Sequence, residues 1–511
     1  MFQQWVNSLK KFFDYIESED IPLSYYFFTF LSVVMLRTFW EHALLIREPS
    51  FGGLAEDLFH FTFFYASLAI TLILVFYLLT KQKVGRLARL VMSSFIILNI
   101  VPIIDRLSGA RDFFHVTYYF PQDHKDIFYH FIAFFGPLEK YGATPGMRIE
   151  IALILIATAV YIFVRTRQLW RSILSAVLVY IVIFGYLATP FLINAGFGII
   201  GMNAEIDIFL IIRFYLALIF VGGLAVLYLA EQNVFKELIK DARLPRLFHY
   251  VLLILLGVVM YRKFVMGFVS FGQNEIFRLF FLAVSVSFAW IFSVVTNNWA
   301  DEDIDRISNP TRPMITGSIA KDLYRRIGWG ILIAALVYAL AVDAEAFNIM
   351  MVFIGNYFLY SMPPFRFKRV PVLSKAVIGF NSLLVFMLGF MVFNNSANIP
   401  LGIIIFFLVF VTASANFIDL KDYEGDLKVG IKTLPVIVGV PWAKRLIGGA
   451  FILTYIVAYD VFRLIGCFWI CLAMGLAQCF FINRKNYDER PVLGMYIVSL
   501  IFIIIYKTVF M

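Results

Sequence analysis

Runs of about twenty predominantly apolar residues recur along the whole chain, and no other feature limits its fold so severely. In hydrocarbon every backbone amide and carbonyl needs an internal partner, so each run must be a helix. A transmembrane barrel needs apolar and polar residues in alternation, which these runs lack. The side-chain balance agrees: 61% of the 511 residues are hydrophobic and 15% are charged, against roughly 25% charged in soluble chains. The expected fold is all-α and polytopic, with the lipid bilayer as its solvent.

Bounded by their flanking charges, the runs predict about fifteen spans in two blocks. Six fall near residues 21–40, 59–79, 87–104, 149–164, 172–191 and 207–229. Nine follow near 248–270, 277–297, 323–342, 347–361, 374–394, 399–418, 440–458, 464–482 and 492–510. The charged stretch from Glu231 to Arg246 separates them, which predicts a six-span domain over 1–235 and a nine-span domain over 236–511. A charged, amphipathic stretch precedes the first span and no small-residue cleavage site follows it, so that span is expected to be retained.

The net charge of +9 does not point to nucleic acid, because no basic arm or nucleic-acid motif is present and the cations sit in short loops. Their distribution sets an orientation. Lys10 and Lys11, Lys81 to Arg86, Arg165 to Arg171 and Lys236 to Arg246 all fall on one side, followed by Arg306 to Arg326, Arg366 to Lys375 and Lys421 to Arg445. That side is expected to be the cytoplasm, with the N-terminus on it and the protein in the cell (inner or plasma) membrane. Arg262 and Lys263 stand against the scheme, near the outer end of the seventh span. The long outer loop from Asp105 to Arg148 holds two stretches, Phe113 to Phe120 and Ile127 to Phe135, suited to lie at the interface. Its His115, His124 and His130, beside Asp123 and Asp126, read as a polar surface rather than a metal site. Cys467, Cys471 and Cys479 share one apolar segment without further ligands, and are read as packing residues.

Two acidic motifs carry the chemistry. The first runs Asn297, Asn298, Trp299, Ala300, Asp301, Glu302, Asp303, Ile304, Asp305; on a helix, Asn297, Asp301 and Asp305 line one face. The second runs from Asp419 to Asp426, and its Asp419, Asp422 and Asp426 share a face at offsets of three and four. Each follows an apolar span, lies on the predicted cytoplasmic side and is trailed by cations, Arg306 and Arg312 after the first, Lys428 and Lys432 after the second. A solvated helix end explains either motif alone, but does not require that arrangement twice. A carboxylate at the centre of a membrane helix costs about 2.5 to 3.5 kcal/mol on insertion scales, so two such stripes call for a counter-charge. Magnesium fits, since it takes carboxylate oxygens while bridging substrate phosphates, and a diphosphate is the natural bridging group.

These residues resemble the UbiA-type intramembrane prenyltransferases over about half the chain, residues 245–511. Asn297, Asp301 and Asp305 fill that family's first motif, with Asn298 where the family usually has Asp; Asn309, Pro310, Arg312, Pro313 and Gly317 match its downstream signature. The second motif, with Glu424, Gly425, Asp426, Gly430, Thr433, Leu434 and Pro435, is similar to the form in the lipid and chlorophyll branches. Tyr360, Ser361, Pro363 and Pro364, then Arg366, Lys368 and Arg369, resemble the tyrosine and lysine connector, although Lys368 stands eight residues after Tyr360 where four is usual. The nine spans after residue 248 agree in number with the family's nine-helix bundle.

The resemblance implies magnesium-assisted ionisation of a prenyl diphosphate and transfer of the prenyl group to an aromatic or lipid-type acceptor. It assigns catalysis to Asp301, Asp305, Asp422 and Asp426, with metal binding by these four and Asp419. Asn297, Arg312, Lys368, Arg369 and Lys432 are the expected substrate contacts, with Lys421 and Arg246 as further ones. Two other readings remain open from sequence: a polyprenyl-phosphate carrier without chemistry, and a relative using phosphoribose or haem. The six added N-terminal spans have no counterpart in the resemblance.

Overall fold

The computed structural model describes residues 2–45, 50–109, 118, 124–136, 143–199, 201–202, 206–262, 272–393 and 398–509. Their regular elements are all helical. The chain divides into two compact units, Met1–Gln232 and Asn233–Met511.

The first unit holds α1 (Phe2–Ile16), α2 (Leu23–Leu45), α3 (Phe51–Thr80), α4 (Val84–Ser94), α5 (Ile100–Leu107), α6 (His124–Ile132), α7 (Pro145–Thr166), α8 (Leu169–Leu187), α9 (Thr189–Ile199) and α10 (Ile208–Ala230). A 3-10 stretch, Phe95–Asn99, joins α4 to α5 into one rod. Pro102 sits in the first turn of α5, where its missing N–H removes a helical hydrogen bond. α3 is the centre of this unit, packing against α2, α4, α8 and α10. Of the histidine-rich outer loop, α6 is helical and His130 meets Asp126 at 3.2 Å; His115 and Asp123 lie outside the described residues, as does the side chain of His124.

The second unit begins with α11 (Gln232–Asp241), α12 (Leu244–Tyr261), α13 (Gln273–Ala300), α14 (Glu302–Ser308) and α15 (Pro313–Thr316). It continues with α16 (Lys321–Leu340), α17 (Ala344–Ser361), α18 (Leu373–Phe390), α19 (Leu401–Ile405), α20 (Thr412–Ser414) and α21 (Asp419–Val429). α22 (Leu434–Val438), α23 (Val440–Val461), α24 (Phe468–Asn483) and α25 (Glu489–Val509) complete it. α12 and α18 cross with their backbones in contact, because a Cβ at Gly257 would lie 2.2 Å from the Phe386 carbonyl and one at Gly389 2.0 Å from that of Ile254. Small residues permit this approach where lipid offers no hydrophobic drive between helices.

Thirteen helices among the described residues are long and apolar enough to cross a membrane, six before Gln232 and seven after, fewer than the fifteen expected. The two that fall short are nonetheless helices. α24 has 16 residues, about 24 Å at 1.5 Å per residue and so shorter than a ~30 Å hydrocarbon core. α17 is less apolar because it carries interior polar groups, and its Asn356 donates to Asn381 of α18 at 2.8 Å. The seventh span was expected over 248–270; α12 ends at Tyr261, and residues 263–271 lie outside the described set. The chain is an integral membrane protein.

Candidate active site

The first motif folds as a broken helix, where an unbroken helical face was expected. α13 stops at Ala300, Asp301 takes a non-helical conformation, and α14 resumes at Glu302. Arg366 explains the break: it donates to the Ala300 carbonyl at 2.7 Å and to Asp301 Oδ1 at 2.9 Å, taking an oxygen that a continuing helix would use itself. The fourfold spacing survives in the backbone, since the Asp301 N–H reaches the Asn297 carbonyl at 3.0 Å and the Asp305 N–H reaches that of Asp301 at 2.8 Å. Lys368 also donates to Asp301 Oδ1, so two cations converge on one half-buried carboxylate.

Asp305 is buried and bound to Arg312, while Asn309 donates to its other oxygen at 3.1 Å. Burial pushes its carboxyl above the usual range, Arg312 and Asn309 oppose that, and neighbouring Asp301 adds to it. Burial lowers the Lys368 ammonium, with Asp301 pulling the other way. Arg312 also donates to the Asn298 side chain at 2.5 Å. Asn298, 1% exposed, in turn donates to Asp241 at 2.8 Å and to the Tyr324 hydroxyl at 2.8 Å. Tyr324 donates to the same Asp241 oxygen at 2.5 Å. Asp241 therefore anchors a relay that runs through Asn298 and Arg312 to Asp305.

Asp241 is held by the apolar face of α11. Val234 and Leu238 join Val295, Met314, Ile319 and Tyr324 in one buried cluster, with Trp299 packed against it. Just beyond, Arg243 occupies a left-handed conformation and is in no ion pair among the described residues. Burial, then nearby Arg312 and Arg246, lower its guanidinium to about 10 while Asp241 and Asp305 oppose them, so it stays charged at neutral pH.

The second motif is a continuous helical turn, with Asp419, Asp422 and Asp426 on one face of α21 as the spacing predicted. The chain reaches it through a π-helical stretch, Phe406–Val411, and a 3-10 turn, Ala415–Ile418. π turns inside α-helices occur mostly at functional sites. Asp419 and Lys375 are both buried and meet at 2.5 Å. Asp422 is exposed and Asp426 half-buried. Lys421 and Arg246 both reach Glu489, at 3.1 and 3.4 Å.

Lys368 binds Asp301, and Lys375, seven residues on in the first turn of α18, binds Asp419. The two acid rows thus stand at the same end of one helical unit. Not every expected contact joins them. Asn297 turns to Ser361 at a long 3.4 Å, while Arg369 and Lys432 are exposed and, among the described residues, in no ion pair with a carboxylate. Arg366, three residues nearer the proline pair, occupies the place expected for Arg369. Sequence reasoning missed Asp241, Tyr324 and Arg243, and read Lys375 as an ordinary loop cation; the usable signal was a single lysine in the first turn of the apolar helix α18.

No three His, Cys, Asp or Glu residues among the described ones converge as a preformed metal cage. Magnesium keeps several waters and takes one or two carboxylates together with substrate phosphates. Asp301 and Asp305, and Asp419, Asp422 and Asp426, are hard oxygen donors of the kind that could hold it.

Residues 245–502, half of the chain, match the model of the UbiA prenyltransferase family. A digeranylgeranylglyceryl phosphate synthase of Methanobrevibacter smithii is 26% identical over 161 residues, which cover 30% of this chain and 56% of that protein. The chloroplastic chlorophyll synthase of Oryza sativa subsp. japonica is 24% identical over 219 residues, covering 41% of this chain and 54% of its own. The match thus spans little more than half the length of these relatives. A UbiA homolog from Archaeoglobus fulgidus, solved with GPP and Mg2+, aligns over 53% of this chain and 98% of its own at 22% identity, with a TM-score of 0.44.

Proposed function

From the premise that this chain belongs to the UbiA prenyltransferase family, we propose that its second unit transfers a prenyl group from a prenyl diphosphate to an aromatic or lipid-type acceptor. The observation that carries this reading is the convergence of Arg366 and Lys368 on Asp301, with Lys375, seven residues after Lys368, on Asp419. Carboxylates alone suit many ions. Carboxylates interleaved with cations at one apolar mouth suit a diphosphate with its magnesium.

In this reading Asp301, Asp305, Asp419, Asp422 and Asp426 hold magnesium, which when bound neutralises charge on the diphosphate oxygens as a Lewis acid. Arg312, Lys368 and Arg366 donate charge-assisted hydrogen bonds to the leaving group, and Arg243 joins them. Asn297, Arg369 and Lys432 stay as peripheral substrate contacts. Breaking the carbon to oxygen bond leaves an allylic cation, and the apolar bundle shields it from water. The motifs and the N-terminus face the cytoplasm of the cell (inner or plasma) membrane, following the loop cations.

Purified protein given labelled geranylgeranyl diphosphate and a panel of aromatic and glycerol-phosphate acceptors tests the reading. Magnesium-dependent release of diphosphate with a prenylated product is expected, and Asp301→Ala and Asp426→Ala each reduce it about a hundredfold or more while the fold persists. Saturable binding of the diphosphate with no product from any acceptor contradicts it and favours a carrier.

A further inference from the structure

We propose that the first unit carries a second binding site, for a neutral lipophile with a single hydroxyl head, in a cleft among α2, α3, α7 and α8. The cleft encloses about 80 Å3 behind an open mouth, and leucine, isoleucine and phenylalanine line most of it. An apolar lining with a few polar groups is the make-up of a small-molecule site.

The polar groups are Arg37, Tyr65, Ser94, Glu150 and Tyr186; Ser94 donates to the Val91 carbonyl at 2.7 Å, and the Tyr186 hydroxyl is bonded to Thr71 at 2.8 Å. Arg37 is already satisfied: Nη1 and Nη2 both donate to the Glu41 carboxylate, the second at 3.2 Å, and its guanidinium lies 4.8 Å from the Phe61 ring centroid. Glu150 and Tyr65 differ. Among the described residues neither the Glu150 carboxyl nor the Tyr65 hydroxyl has a hydrogen-bond partner, although both line the cleft. Polar groups set among apolar helices are normally paired, and an ionisable one inside a membrane span marks a pathway or ligand.

One head group satisfies both. A hydroxyl donates its proton to Glu150 and accepts the proton of Tyr65. A phosphate head meets one cation against two carboxylates, Arg37 against Glu41 and Glu150, and is repelled. An ammonium head has no lone pair for the Tyr65 proton. The site is independent of the acid motifs and of the reaction assigned to them.

The test uses full-length protein in nanodiscs and three diazirine probes of one chain length: farnesol, farnesyl monophosphate and farnesylamine. The alcohol is expected to label α3 and α7 peptides saturably and to be displaced by unlabelled farnesol. Glu150→Leu and Tyr65→Phe should each weaken that labelling about tenfold, the loss of one hydrogen bond to a buried partner. Leu72→Trp, which fills the cleft and leaves both polar groups, should abolish it. Labelling by the phosphate or the amine as strong as by the alcohol overturns the proposal. So does unchanged affinity in Tyr65→Phe, which removes a single oxygen and keeps the fold.

Discussion

The two units treat buried charge differently. In the first, ions are spent on one another inside the helix packing: Arg37 and Glu41 form a closed pair one turn apart, with side chains 4% and 8% exposed, and Arg165 faces Asp14 and Glu17. In the second, Lys375 and Asp419 also form a buried pair, but Asp301 is shared by two cations, and Arg243, in no ion pair among the described residues, lies near Arg312 and Arg246 as well as Asp241 and Asp305. A closed pair stabilises a structure and leaves no net charge for a ligand. An unbalanced cluster at a membrane mouth has capacity left for an anion and its metal, which is why chemistry is assigned to the second unit and only binding to the first.

The contrast is open to attack at several points. Withdrawing magnesium with EDTA should remove diphosphate release altogether, restored by readdition, while thermal unfolding of the first unit stays where it was; turnover that persists in EDTA breaks the functional half of the contrast. Arg37→Met strands Glu41 among apolar helices and should destabilise the protein by about 3–5 kcal/mol in detergent unfolding, whereas Arg37→Met with Glu41→Leu should recover most of it. Equal loss in single and double variants would mean that the pair is not closed. Asp241→Ala should lower kcat/KM about ten- to a hundredfold by loosening Asn298 and Arg312, in the manner of outer-shell partners. Tyr324→Phe, which leaves the Asn298 bond to Asp241, should cost only about threefold. A chain starting at Val234, which keeps α11 and its cluster, should retain activity within about fivefold, since a unit with its own core folds alone. Complete loss of turnover in that folded, membrane-inserted protein makes the first unit part of the catalytic one.

What could be read from sequence follows the range of the interactions involved. Asp419, Asp422 and Asp426 share a face because three- and four-residue offsets dictate it locally, and the helix there is unbroken. The same rule over-reached at Asp301, because the break depends on Arg366, sixty-five residues away. Asp241 was hidden for a different reason. It lies in the charged stretch taken as a boundary, and only the packing of Val234 and Leu238 beside Tyr324 shows that this stretch is part of the bundle. The available clue was an acid at the end of a short amphipathic helix, directly before Leu244 and Pro245 open a span. In the first unit nothing in the spacing singles out Glu150, which lines an apolar cleft without a hydrogen-bond partner among the described residues.

The account rests on both acid rows serving one headgroup, and a binding cycle tests that most directly. Magnesium-dependent affinity for geranylgeranyl diphosphate is measured for the wild type, Asp301→Ala, Asp426→Ala and the double variant. A shared site predicts that either single change loses nearly as much as both together. Losses that simply add, each row acting without regard to the other, would contradict it.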